Sequence, residues 1–442
     1  ILLGLFSLTF KLYASDEKPI TANVMGPLWL ESEDEWQTFR NDLSWAKSAG
    51  VGAVTIDVWW GAVETDGDQK FDWRYYDKVF KEIRQYKLRI IPIMSFHQCG
   101  GNVNDTCNIP LPNWVWHHFD GFSSDDLKYK SEQGNYSSEY VSLWANHLVL
   151  SQYRQFMQAF EHRYQHLADY IDEINISMGP AGEIRFPSYN QHDTGTEFPT
   201  RGAWQVYGKL AQQDLTQFLT KRYASITELN KHWGTSYKDF ATVSVPLPTS
   251  CSASACKATI DWFHQALVTH GKQMLVTADE AFANEFKSIP LGYKVAGIHW
   301  LMAKEGRWHR AAEIATGLLP ASRTEEFGYR NVISLANLPL SNKRGTILHY
   351  TALEMSDNPT APAYSRANAL VTQFSELART LGVNIKGENA LSAGVQNSHG
   401  WRNIHKHIQQ QRFTGITVLR LNSIANGEGR KHFEAFIELN NG

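Results

Sequence analysis

The chain has 442 residues, 43% hydrophobic and 20% charged, a balance that fits a folded protein and not a disordered one. Its formal net charge of −3 leaves no basic footprint for nucleic acid. The length accommodates a single α/β barrel with long loops.

The chain opens on ILLGLFSLTF, a short apolar run followed by KLYAS. Such a run is too short to span a bilayer and reads as the core of a secretory signal. Residues 1–17 are therefore expected to be a truncated signal and N-terminal extension, and 18–442 a single domain. The expected destination is secreted or lumenal (extracellular, or lysosome or vacuole), with no membrane attachment once the signal is removed.

Candidate strands then follow at 22–26, 53–58, 89–95, 171–178, 293–299, 346–352, 383–387 and 414–420. They are short, rich in β-branched residues, and followed by Gly, Trp, His or Glu. Amphipathic stretches lie between them at 34–49, 73–86, 150–168, 203–222, 257–284 and 366–381. Eight strands alternating with helices predict the α/β class and a (β/α)8 barrel, with long loops after the third and fourth strands. The cysteines fall into two close pairs, Cys99 with Cys107 and Cys251 with Cys256. Neither pair has zinc-site spacing, so two short-range disulfides are expected, with no metal and no cofactor.

A barrel of this kind carries its chemistry at the carboxyl ends of its strands. Glu183 in GPAGEIRFPSY and Glu388 in KGENALS each follow a short apolar run. Two carboxylates at two strand exits are what acid/base cleavage of a glycosidic bond needs. Asp57 ends TIDVWWG, His97 follows IIPIMSF, His299 and Trp300 end KVAGIHW, and Arg420 ends ITVLR. Thr351 and Glu354 lie together in HYTALEM.

The motifs DVWWG, FHQCGGNVND, IPLPNWVW, GPAGEIRFPSY, AGIHW, TALEM and GENALS resemble, in order over roughly residues 22–430, those of the β-amylases. These are inverting exo-hydrolases of α-1,4-glucans. The resemblance implies an α-1,4-glucan polysaccharide or oligosaccharide as substrate, and a monomer is expected. It makes Glu183 the general acid and Glu388 the general base. An inverting pair of carboxyls stands about 6.5–9.5 Å apart, to hold a water as well as the sugar. GGNVND resembles the family's lid, whose Asp105 closes over the substrate, with Cys99 and Cys107 at its base. Thr351 matches the threonine that steadies the acid after it has lost its proton. Asp57, His97, Lys294, Asn389 and Arg420 match positions that hold sugar hydroxyls, and Leu391 matches a residue that separates glucose units. Tyr189 and Trp300 are candidate sugar platforms, whereas Trp59, Trp60, Trp114 and Trp116 read as wall and core.

Bacterial members carry a calcium site. Glu64 and Asp68 match its loop part, but Gln152 and Gln155 stand where its helix acids belong, so no tight calcium is expected. Residue 352 is Ala where many relatives have Cys. Two other readings stay open at this point: an inactive glucan sensor on the same fold, or a retaining β-glycosidase on a related barrel.

Overall fold

The computed structural model describes residues 20–100, 107–197, 199–301, 310–321, 328–411 and 413–441. The expected signal segment and the lid residue Asp105 lie outside the described residues. Among those described, eight parallel strands close a barrel in chain order: β1 (Thr21–Met25), β2 (Ala53–Trp59), β3 (Arg89–Ser95), β4 (Ile174–Ile176), β5 (Leu291–Val295), β6 (Thr346–Tyr350), β7 (Asn384–Glu388) and β8 (Gly415–Val418). β8 pairs back onto β1, with Thr21 opposite Gly415 and Val24 opposite Val418, so the sheet has no edge. This is the (β/α)8 fold.

The main helices are α1 (Glu33–Ser48), α2 (Arg74–Gln85), α3 (Asn146–Tyr164), α4 (Lys209–Arg222), α5 (Ala253–Ala281), α6 (Ala367–Thr380), α7 (Ser398–Gln411) and α8 (Gly427–Asn441). α1 shows how local sequence sets a boundary. The Ser32 hydroxyl accepts from the Glu35 N–H, and the Glu35 carboxylate accepts from the Ser32 N–H at 2.8 Å. This reciprocal cap uses two donors that the first turn would otherwise leave unpaired. The helix ends before Gly50, whose φ of +85° lets the chain turn back into β2.

Alternation along the strands divides the barrel into two environments. Outward residues such as Val24, Val54, Ile56, Val58 and Met94 join Leu43, Val79, Ile83, Phe156 and Phe160 of the helices in one apolar core. Inward positions are unusually polar. Lys294, His349 and Lys386 occupy matched register positions on β5, β6 and β7 and make contacts inside the barrel.

The segments after β3 and β4 are the long ones. The first holds a small antiparallel hairpin, Tyr129–Lys130 with Tyr136–Ser137, before α3 begins. The second runs through α4, a further helix at Ile226–Trp233, and α5 before β5. Both expected disulfides are present, with Cα–Cα distances of 5.5 Å for Cys99–Cys107 and 5.4 Å for Cys251–Cys256. Among the described residues no helix is long and apolar enough to cross a membrane.

Two strand expectations need correction. The fourth strand is only Ile174–Ile176, because its flanks join the barrel through a single bridge and loop hydrogen bonds. The fifth ends at Val295, so His299 and Trp300 lie beyond it, not at its end. The cause is local. The Gly297 N–H donates to the Thr351 hydroxyl at 2.7 Å, and a Cβ on Gly297 would sit 2.6 Å from the Thr351 carbonyl oxygen. That close approach turns the chain out of the ladder.

Candidate active site

A cavity of about 320 Å³ lies at the carboxyl ends of the strands. Asp57, His97, Glu183, Lys294, Thr351, Glu388, Asn389 and Arg420 all line it, together with Trp59 and the disulfide base at Cys99 and Cys107. Residues far apart in sequence are thus collected by the barrel's closure.

Glu183 is aimed by a tight loop after β4. Ala181 has φ +56° and Gly182 has φ +77°, two successive left-handed residues that turn the chain abruptly. A Cβ at Gly182 would stand 3.3 Å from the His97 ring, so a larger residue would press on another cavity wall. The Ile184 N–H then donates to the Lys294 carbonyl at 2.9 Å, fixing Glu183 beside β5. Burial raises the Glu183 pKa above the usual carboxyl range, and the Arg185 guanidinium, 2.9 Å from Oε2, works against that rise. Desolvation prevails, which favours a carboxyl that keeps its proton.

Glu388 is the last residue of β7, not the first of a loop. Its side chain is only 5% exposed, and the Lys294 ammonium lies 3.0 and 3.1 Å from its two oxygens. The pair is a close ion pair enclosed in the cavity wall. The two glutamates therefore stand in different electrostatic settings within one cavity.

Behind Glu388 lies a cluster that the sequence reading missed. His349 Nδ1 is 3.8 Å from Glu388 Oε1, and its Nε2 is bonded to the buried carboxylate of Glu173. Lys386 Nζ donates to the other Glu173 oxygen at 2.9 Å. Burial works to raise the Glu173 pKa, but the His349 ring and the Lys386 ammonium outweigh it and hold the group at about 2. Arg185 was missed as well. A signal existed for each: charged residues at positions where the strand or motif reads as buried.

The remaining predicted residues divide. His97 sits edge-on to Trp59 at 5.0 Å, its Nδ1 2.8 Å from the Ser177 hydroxyl, and burial lowers its pKa to about 4. It is a neutral imidazole suited to sugar hydroxyls. Asp57 accepts from the Ser95 hydroxyl at 2.9 Å, and Arg420 donates to the Gly26 carbonyl at 2.7 Å. The Asn389 side chain binds backbone at Leu391 and Leu419, so it locks loops together while also lining the cavity. Leu391 is 56% exposed and lies next to Ala390 of the lining.

Tyr189, His299 and Trp300 are not part of the cavity wall. Tyr189 and Trp300 pack edge to face at 5.4 Å, and both donate to the Thr200 carbonyl. The pair rests on Ala311 and Ala312, and His299 Nδ1 meets the Ser365 hydroxyl at 2.8 Å. Burial lowers the His299 pKa to about 4. His299 and Trp300 follow the chain out of the barrel beyond the end of β5, and Tyr189 meets Trp300 from the segment after Glu183.

The residues matching the bacterial calcium site do not supply the charge for tight binding. Asp68 Oδ1, Gln152 Oε1 and Gln155 Oε1 are buried without a protein hydrogen-bond partner, and oxygens of this kind do suit a hard cation. But both Glu64 oxygens already accept, from the Trp60 indole and the Gln69 N–H, each at 2.5 Å. Burial also lifts the Glu64 pKa to about 7, and two of the four groups are neutral amides. Among the described residues no cluster of three or more His, Cys, Asp or Glu forms a metal-binding group.

The profile of glycosyl hydrolase family 14 matches residues 23–440. A β-amylase of Bacillus cereus is 34% identical over 410 residues, which cover 91% of this chain and 71% of that protein. The crystal structure of the catalytic domain of β-amylase from Paenibacillus polymyxa superposes with a TM-score of 0.83 at 31% identity, covering 95% of this chain and 98% of that one. A β-galactosidase from the psychrophilic Marinomonas ef1 has a TM-score of 0.58 at 13% identity, a likeness of fold alone.

Proposed function

The chain belongs to glycosyl hydrolase family 14, and from that premise we infer that it is a β-amylase: it hydrolyses α-1,4-glucosidic bonds of starch- or glycogen-type glucans and releases β-maltose. One observation carries this reading. Glu183 and Glu388 line the same cavity, one with its carboxyl raised by burial and the other held against a lysine.

In the proposed reaction Glu183 gives its proton to the glycosidic oxygen as the bond to C1 breaks. Glu388 takes a proton from a water whose oxygen bonds to C1 from the opposite face. Each turnover leaves Glu183 charged and Glu388 protonated, and exchange with solvent restores both. Thr351 lines the cavity with its hydroxyl oxygen accepting from Gly297, so its own proton remains to be donated to the spent Glu183. Asp57, His97, Lys294 and Arg420 are proposed to bind sugar hydroxyls, with Leu391 inserted between glucose units and Asp105 closing over them. Tyr189, His299 and Trp300 would shape the approach from outside the wall.

The anomer of the first product tests the reaction. Proton NMR is expected to show β-maltose before mutarotation, and Glu183→Gln to abolish it. Release of α-maltose would overturn inversion. A secretory-pathway destination is proposed too, and the two disulfides support it.

A further inference from the structure

Glu354 has no part in the acid/base chemistry, yet it is 4% exposed and enclosed on every side. Its Oε2 accepts from the Ala390 N–H at 2.9 Å and its Oε1 from the Leu391 N–H at 2.8 Å. One carboxylate thus holds two consecutive amides of the loop that follows Glu388. Burying a carboxylate is costly unless charge-assisted hydrogen bonds replace its water, and here two do. The enclosure is close. A Cβ on Gly394 would stand 2.3 Å from Glu354 Cγ, and one on Gly400 would stand 3.3 Å from Glu354 Cβ. Asn403 donates to the Glu354 carbonyl at 2.9 Å, which anchors the backbone as well.

The clamped loop carries three groups in succession. Glu388 ends β7, Asn389 ties the loop to Leu419 beside Arg420, and Leu391 stands out as an exposed apolar side chain. An isolated leucine on a free loop would fold back onto apolar surface. Here the backbone amide of Leu391 is fixed, and the residue is extended, with φ −128° and ψ 132°. We propose that Glu354 is a positioning residue that holds Leu391 at the cavity mouth and so sets how the glucan is gripped on the far side of Glu388. The proposal rests on the β-amylase reading of the site.

That dependence fixes the order of the experiment. The wild type must first release β-maltose from soluble starch; if it does not, the β-amylase reading fails before Glu354 is in question. With activity established, KM and kcat are measured on maltotetraose, maltohexaose and soluble starch for Glu354→Gln, Leu391→Ala and the double variant. A glutamine can accept from only one of the two amides. Glu354→Gln is expected to raise KM for the oligosaccharides about five- to tenfold and to leave kcat within about threefold, the signature of lost ground-state binding. In the Leu391→Ala background the same change is expected to add less than about twofold, because the two residues act as one unit. Effects that multiply, or a fall in kcat with KM unchanged, would overturn the proposal. If Glu354→Gln is insoluble, Glu354→Asp, which keeps the charge but is one methylene shorter, is read by the same criteria.

Discussion

Arg185 Nε lies 2.9 Å from Glu183 Oε2, so the carboxyl proposed as the proton donor has a buried cation on its flank. The guanidinium favours the charged form, burial favours the neutral one, and burial prevails. The general acid works only while protonated, so activity should fall as pH rises through the Glu183 pKa. Replacing Arg185 by Met removes the opposing charge. The descending limb of kcat/KM is expected to move to higher pH, by roughly one unit. A limb that stays put or moves to lower pH counts against the acid role of Glu183.

Glu388→Gln keeps the shape of the proposed base and removes its ability to take a proton. Loss of a general base costs about 10²–10⁴-fold in rate. The expected result is a fall in kcat of that size on soluble starch, with maltose binding by calorimetry retained within about threefold. Retained turnover would move the base elsewhere.

Glu173 should make the fold sensitive to acid. Its pKa is held at about 2, against 4.5 for a free glutamate, by His349 and Lys386 in spite of burial. A depressed carboxyl stabilises the fold fully above pH 4.5, and the contribution is lost as pH falls from there towards 2. The shift corresponds to on the order of 3 kcal/mol. Glu173→Gln is expected to be less stable at pH 7, by about 3–5 kcal/mol, because it strands the buried Lys386. Urea melts between pH 7 and 3 should then show a shallower loss of stability for the variant. Parallel curves would contradict this.

Calcium is expected to matter little. With Gln152 and Gln155 among the four groups, and Glu64 tending to keep its proton near pH 7, the melting temperature should move by less than about 2 °C between a chelator and millimolar calcium. A rise of about 5 °C or more would show that the amide oxygens suffice.

Much of the site was legible because the motifs sit at strand ends. Eight of the expected residues, from Asp57 to Arg420, do line one cavity. Asn389 was legible as a site residue but not as a clasp between loops, because its partners Leu391 and Leu419 meet only when β7 and β8 pair. The misplacement of His299 and Trp300 came from reading an apolar run as a continuous strand. The run is apolar, but Gly297 ends the ladder by close approach to Thr351, a contact between the segments just beyond β5 and β6 that periodicity cannot express.

By itself the sequence determined the number and order of the strands, the two cysteine pairs and the two glutamates. Each of these rests on local chemistry: alternation, spacing, and a motif read along the chain. The tertiary structure alone decided what stands beside what. Pairing of β5, β6 and β7 sets Lys294, His349 and Lys386 side by side inside the barrel. Only that closure gives Glu388 its lysine and Glu173 its cations, and lets Glu354 reach the amides behind Leu391. A side chain's charge is written in the sequence, but its electrostatic setting depends on neighbours brought together from distant parts of the chain.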